Sequence, residues 1–505
     1  MLRMTCRTGI ALALLLSLCA APLAATAAAS VDATAPVPEG DRAFYMEVGE
    51  AIQQAERGDT LGAAIVFERL LADPRLATLA VEGRSHVWAS AAMVAAEQKD
   101  FALATQRLQQ ALAINPHNAY ARLRLAWFQL HGQQTVAAAD SVILGAADSE
   151  DSPDITTEMV WQLDTGLKDQ PEKRLALLQA LFDSNWKNDG VEPVELWVIL
   201  ATLQVEAGHG DKVPATLERI DAPMALVRLR SDKRFDPYLK RDDARYEPVA
   251  AARRQIDRLR VETMLRPGLN ETAVELATAL MIAGDLGDVV GMTDQIAAAA
   301  NAATQAPEEQ AFAIGWMLDT RSRALRRLGE NDRAVANQLI AVRMAEGSDT
   351  VSQKLNLAAL YMSLHRPMMA REILRDTDDA NLSAYGISSH ALVSLMTARQ
   401  LKDDTAAQRA WAVLEANRTE APGQYRDALL TDNRMDEAAQ VVIAQLADPL
   451  ERVQILLDLQ DMREGPVLEG ERDYHERWEQ MKKRADVQAA VEKVGRIATY
   501  PLFSY

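Results

Sequence analysis

The sequence predicts an all-α fold, a solenoid of stacked helix hairpins, on the strength of three observations. Small residues recur twelve positions apart, each pair brackets a short polar turn, and no stretch carries the sustained alternation of a strand. Composition agrees with them. Of 505 residues 49% are hydrophobic, only 5% aromatic and 25% charged, the Ala/Leu/Glu/Arg-rich profile of helical chains.

The first element is a leader. Arg3 and Arg7 precede the apolar run "IALALLLSLCAA", Pro22 breaks it, and Ala25-Thr26-Ala27 and Ala27-Ala28-Ala29 supply small-residue cleavage sites. Residues 1–29 therefore read as a secretory signal peptide, and the apolar run is shorter than the 20 or so residues of an anchor. Leu18 before Cys19 departs from the small residue of a lipoprotein signal. Cys6 and Cys19 are the only cysteines, so the exported chain would carry no disulfide or thiolate site. A large cysteine-free exported chain points to a bacterial envelope, periplasmic or secreted. Residues 30–41, "SVDATAPVPEGD", form a Pro-rich polar lead-in expected to be disordered.

Residues 42–227 form the first array. In "HVWASAAMVAAEQKDFALATQRLQQALAINP", Trp88, Ala91, Ala92 and Ala95 share one helix face, and Ala104, Leu108 and Ala111 share a face of the next. "EQKD" makes the turn, and Pro116 ends the second helix. Backbones that cross closely need small residues at the crossing, here Ala92 against Ala104, with Trp88 and Leu108 filling the sides. The spacing returns at Ala51/Ala63, Ala126/Ala138, Ser322/Ala334, Ala358/Ala370 and Ser394/Ala406. Residues 155–220 follow it least closely.

Residues 228–262 form a basic capping or linker segment. From Arg228 to Arg260 there are eleven basic and six acidic residues in a chain of net charge −18. Such a run usually reads as a solvated face paired to acidic neighbours, with a docking surface for an acidic partner as the other reading. A second array follows over 263–460. Residues 461–505 are expected to be capping helices with a tucked aromatic tail, since Pro501 argues against a barrel strand at "TYPLFSY".

The order aromatic or Leu, small, turn, small, bulky, Pro resembles the tetratricopeptide repeat (TPR) family. Trp88, Ala92, Ala104, Leu108, Ala111 and Pro116 match its pattern, with Ala91 and Ala95 replacing its Leu and Tyr. "LRSDKRFDPYL" is similar to the tail after many such arrays, in which a Phe tucks under the last helix. The resemblance implies stacked hairpins with nearest-neighbour contacts and an inner face that takes extended or helical peptides. The family's carboxylate clamp needs Lys and Asn where this chain has Ala89 and Met93, so that device is not expected.

No chemistry motif emerges. The seven histidines lack metal-ligand spacing, and there is no nucleophile elbow, phosphate loop or dinucleotide fingerprint. No enzyme, metal or cofactor is expected, and the acidic balance argues against nucleic acid. The candidate partner-binding residues are Met93, Tyr120, Arg124 and Trp127 in the first array and Trp316, Asp319, Arg323 and Arg326 in the second. These are aromatic/Arg groupings on first helices, the composition of interface hot spots. The sequence thus reads as a non-enzymatic protein–protein scaffold or adaptor of the bacterial envelope, without stable membrane insertion. A second reading is an accessory or carbohydrate-interacting subunit of an envelope assembly such as polysaccharide export.

Overall fold

The computed structural model describes residues 39–149, 154–188, 190–345, 350–377 and 382–504. The predicted signal peptide and most of the lead-in lie outside them. The described residues form twenty-five α-helices and two short strands. They divide into two compact units, the first ending at Arg219 and the second beginning at Ile220. The all-α expectation holds.

The first unit opens with three hairpins. Helices α1 (Glu39–Glu56) and α2 (Thr60–Leu71) pair, as do α3 (Val81–Glu97) with α4 (Phe101–Ile114), and α5 (Ala119–His131) with α6 (Thr135–Ala147). Beyond them pairing loosens. Helix α8 (Pro171–Asp183) packs on α6 and on α9 (Val194–Glu206), while α7 (Thr157–Gly166) lies against α6 and α10 (Val213–Glu218) against α9.

One turn joins each regular hairpin, and it explains the spacing. A residue with left-handed backbone ends the first helix: Gly58, Lys99 and Gln133 in this unit. The next backbone N–H then reaches back to a carbonyl five residues earlier, Asp59 to Gln54, Asp100 to Ala95 and Gln134 to Gln129, at 2.8–3.1 Å. This satisfies carbonyls that the helix end would otherwise orphan. The Asp59 and Asp100 carboxylates then cap the second helix by accepting from the N–H of Gly62 and Leu103. Buried small residues sit seven positions before and five after the left-handed residue, at Ala51/Ala63, Ala92/Ala104 and Ala126/Ala138, all at 0–1% exposure.

The second unit repeats the device. Its hairpins are α13 (Glu271–Ala283) with α14 (Leu286–Ala302), α15 (Glu308–Arg327) with α16 (Asn331–Met344), and α17 (Thr350–Ser363) with α18 (Pro367–Arg375). Then come α19 (Ala384–Leu401) with α20 (Asp404–Ala416), and α21 (Pro422–Thr431) with α22 (Met435–Ala447). The left-handed residues are Gly284, Gly329, His365, Lys402 and Asn433. Ser322/Ala334 and Ala358/Ala370 are buried as expected. The last expected pair is one residue out of register: with Lys402 at the turn, Leu395 and Ala407 are buried, while Ser394 and Ala406 are only half-buried. In the final hairpin the corresponding places hold Arg426 and Ala438.

Two expectations need correction here. Contacts are not confined to nearest neighbours, because the path of the second unit returns to its start. Helix α11 (Pro223–Ser231) packs on α23 (Arg452–Asp458), near the far end of the sequence. Arg228 donates to Gln454 at 2.9 Å, Arg234 to the Pro449 carbonyl at 2.6 Å, and Arg496 to both carboxylate oxygens of Asp236 at 2.8 and 2.5 Å. Nor is the tail merely tucked. Strand β1 (Asp461–Arg463) pairs in parallel with β2 (Thr499–Phe503), after the intervening helices α24 (Arg472–Lys482) and α25 (Ala485–Val494). Pro501, which has no N–H to give, falls where the ladder slips between Tyr500 and Phe503. Tyr500, Leu502 and Phe503 are buried in a core with Leu280, Met281 and Met462.

The basic segment 228–262 lies within this unit. It runs through α11, a turn in which Phe235 is fully buried, and α12 (Pro248–Leu265). Its cations are largely spent inside the unit: Arg253 pairs with Asp285, and Arg260 with Asp288 at 3.1 Å.

Candidate functional site

Helix α5 carries the first group. The Asn118 side chain caps it by accepting from the Ala121 N–H at 2.9 Å. Ala121, Leu123, Leu125 and Ala126 are buried. Tyr120, Arg124 and Trp127 remain half-buried and His131 exposed, a stripe at helical spacing.

The structure brings Tyr120 and Arg124 together, with the guanidinium 5.1 Å from the ring centroid, a cation–π distance. Arg124 also donates to Asp154 at 2.8 Å. Burial raises the Tyr120 pKa, partly opposed by the positive charge of Arg124, so the phenol stays protonated. His86 lies 6.5 Å from Tyr120, and burial lowers its pKa, favouring the neutral ring.

Trp127 makes a different pair. Its ring lies 3.9 Å from that of His131 at 31°, and Phe128 meets it edge-on at 5.1 Å. Met93 packs with Leu103 and Phe128 around Ala95, Ala96 and Ala104. The reading of the sequence passed over His131 and Phe128. The signal for His131 was its place four residues after Trp127, one turn further along the same stripe.

The second group lies on α15, and its polar members are engaged within the unit. Asp319 is 2% exposed and accepts from Asn356 at 2.9 Å and from Arg323 at 2.8 Å. Arg326 donates to both oxygens of Glu471, at 2.6 and 2.7 Å. Trp316 is half-buried, 6.2 Å from the Phe312 ring. The next residue, Arg327, was not singled out from the sequence and is more deeply buried than Arg323 or Arg326.

Among the described residues no cluster of three His, Cys, Asp or Glu could hold a metal ion. No helix among them is long and apolar enough to cross a membrane.

Comparison with known proteins gives one sequence match and several distant structural ones. Residues 95–156 match the family model described as tetratricopeptide repeat. That segment runs from the last turn of α3 to the N-cap of α7 and includes the whole of α5. No curated protein matches the chain in sequence. Among solved structures, the Cut9 and Hcn1 hetero-tetramer of the APC/C aligns over 90% of this chain and 96% of its own, at 13% identity and a TM-score of 0.27. The TPR domain of P58(IPK) aligns over 82% and 98%, at 14% and 0.22. Naa15/Naa10 bound to HypK-THB aligns over 89% and 80%, at 12% and 0.27. At such scores these likenesses carry no further argument. Residues 95–156 thus match a tetratricopeptide repeat, and the hairpin turn found there recurs in both units.

Proposed function

We propose that this protein is a non-enzymatic scaffold or adaptor of the bacterial envelope that binds segments of partner proteins through the α5 stripe. The observation that carries this reading is the row Tyr120, Arg124, Trp127 and His131. It places one cation–π pair and one stacked aromatic pair, both partly open to solvent, on a helix whose other side is buried. Rigid aromatic rings bind with little loss of side-chain entropy, and Arg124 is already held by Asp154 and the Tyr120 ring. The α15 group is the weaker candidate, since Asp319, Arg323 and Arg326 already hold partners of their own.

Export rests on the leader sequence: Arg3 and Arg7, the short apolar run, and the small-residue sites around Ala27 and Ala29. The test is in-cell cross-linking of the expressed protein, followed by mass spectrometry. An envelope adaptor gives cross-links from the α3–α5 region to periplasmic proteins, and an intact mass that begins at Ala28 or Ser30. A retained Met1, or cross-links only to cytoplasmic proteins, overturns the assignment.

A further inference from the structure

A cavity of about 40 Å³ opens inside the second unit, lined by residues of α15, α21, α23, α24 and both strands. A single water needs ~10–15 Å³ by this measure, so the space suits a group of three or four heavy atoms.

Arg327 lines it and is 8% exposed. Its Nη2 donates to the Ser504 carbonyl at 2.7 Å, while Nε and Nη1 have no hydrogen-bond partner among the described residues. Gly465 fits closely beside it: a Cβ there would come within 3.3 Å of the Arg327 Cα and Cγ. The Phe503 ring lies 4.5 Å from this guanidinium and 4.8 Å from that of Arg463, which also lines the cavity. The Arg463 side chain makes no hydrogen bond or ion pair among the described residues.

The other buried charges of the lining are paired with one another. Arg426 binds both Asp427 at 2.8 Å and Asp458 at 3.2 Å, while Glu464 is exposed to solvent, 3.7 Å from the His475 imidazole. A buried guanidinium without a counter-charge is costly, and burial beside Arg323 and Arg326 has pulled the Arg327 pKa down to about 9. An anion in the cavity would relieve that cost. Three arginines and three carboxylates line the space, so its formal charge is balanced. A singly charged anion suits this balance better than a doubly charged phosphate, and the planar guanidinium fork matches a carboxylate.

We propose that this cavity is a binding site for a carboxylate group, held by Arg327 and Arg463 beside the Phe503 ring. Two sources have the same chemistry: a free small carboxylate, and the acidic side chain of a bound peptide. The site is independent of the α5 stripe and stands or falls without it.

The test uses the full chain, titrated calorimetrically with sodium acetate, with the peptide Ac-Gly-Glu-Gly-NH2, and with phosphate at matched ionic strength. Acetate is expected to bind, and at saturation to raise Tm by roughly 2–4 °C over sodium chloride of equal ionic strength. Arg327→Met should abolish the binding heat, and Arg463→Met should weaken binding by roughly fivefold or more. Arg463 is exposed, so that variant keeps the test decisive if Arg327→Met does not fold. Peptide binding tighter than acetate assigns the carboxylate to a partner's side chain, and acetate tighter than peptide assigns it to a free small acid. No heat from either probe, undiminished binding in Arg463→Met, or phosphate binding tighter than acetate overturns the proposal.

Discussion

Ser322 donates its hydroxyl to the carbonyl of Ala334 across 2.8 Å, so the crossing of α15 and α16 is closed by a hydrogen bond where most others are closed by methyl groups. The donor is buried, and no water reaches it to replace the bond. Ser322→Ala should cost about 0.5–1.5 kcal/mol, the usual net worth of such a bond. Chemical denaturation with an unchanged m-value would measure it, and no loss would mean that the bond contributes nothing.

Where the crossing is methyl on methyl, the sensitivity is to volume. Ala104 and Ala370 are both fully buried at their crossings. Leucine at either place overpacks the interface and should destabilise its unit by about 1–3 kcal/mol. Thermal melts of the two variants test the register, since a solvent-facing alanine would tolerate the change.

Lys402 tests the turn itself. It ends α19 with φ of 57°, where a side chain is strained and glycine is not. Lys402→Gly should stabilise by roughly 0.5–1 kcal/mol, the relief of strain exceeding the added freedom of the unfolded chain. A destabilised variant would show that the lysine side chain does more for the fold than its strain costs.

Trp127→Ala separates binding from folding. The ring is half-buried against Phe128 and His131, so its loss should cost less than the ~3–5 kcal/mol of a fully buried tryptophan. Circular-dichroism melts should show a small shift, while capture of a cross-linked periplasmic partner is lost. Normal capture by a stable variant would move the interaction surface elsewhere.

Glu275 predicts a pH dependence. Burial, reinforced by Glu271, lifts its pKa to about 7 from an ordinary 4.5, with Arg258 opposing. Between those values the unfolded chain has released the proton that the folded chain keeps, so stability falls as pH rises through this window. Glu275→Gln should remove that fall and gain about 1–3 kcal/mol at pH 8. Denaturation of both proteins at pH 4.5 and 8 checks the sign.

The hairpins were legible because each is written locally. A turn, its cap and two small residues fall within about thirteen positions. The one misplaced pair, Ser394/Ala406, shows the limit of that signal: where small residues are frequent, only the left-handed residue fixes the register, and nothing in the sequence marks Lys402 as that residue. The stripe Tyr120, Arg124 and Trp127 was legible as helical spacing. The engagement of Arg326 was not, because its partner, Glu471, lies 145 positions away. The same holds for Arg327, whose neighbour Ser504 is 177 positions away.

The return of α23 and β2 onto α11, α12 and α13 changes how the second unit must fold and come apart. An open row of hairpins can fray from either end, one hairpin at a time. Here the two ends are fastened together by Arg496 and Asp236, which are 260 positions apart, so neither end is free to peel. Such distant contacts form only after most of the chain is in place, which makes for slow, concerted folding. They also make the unit a natural subject for circular permutation: its ends could be joined by a short linker and the chain reopened at another hairpin turn, such as the one at Gly329.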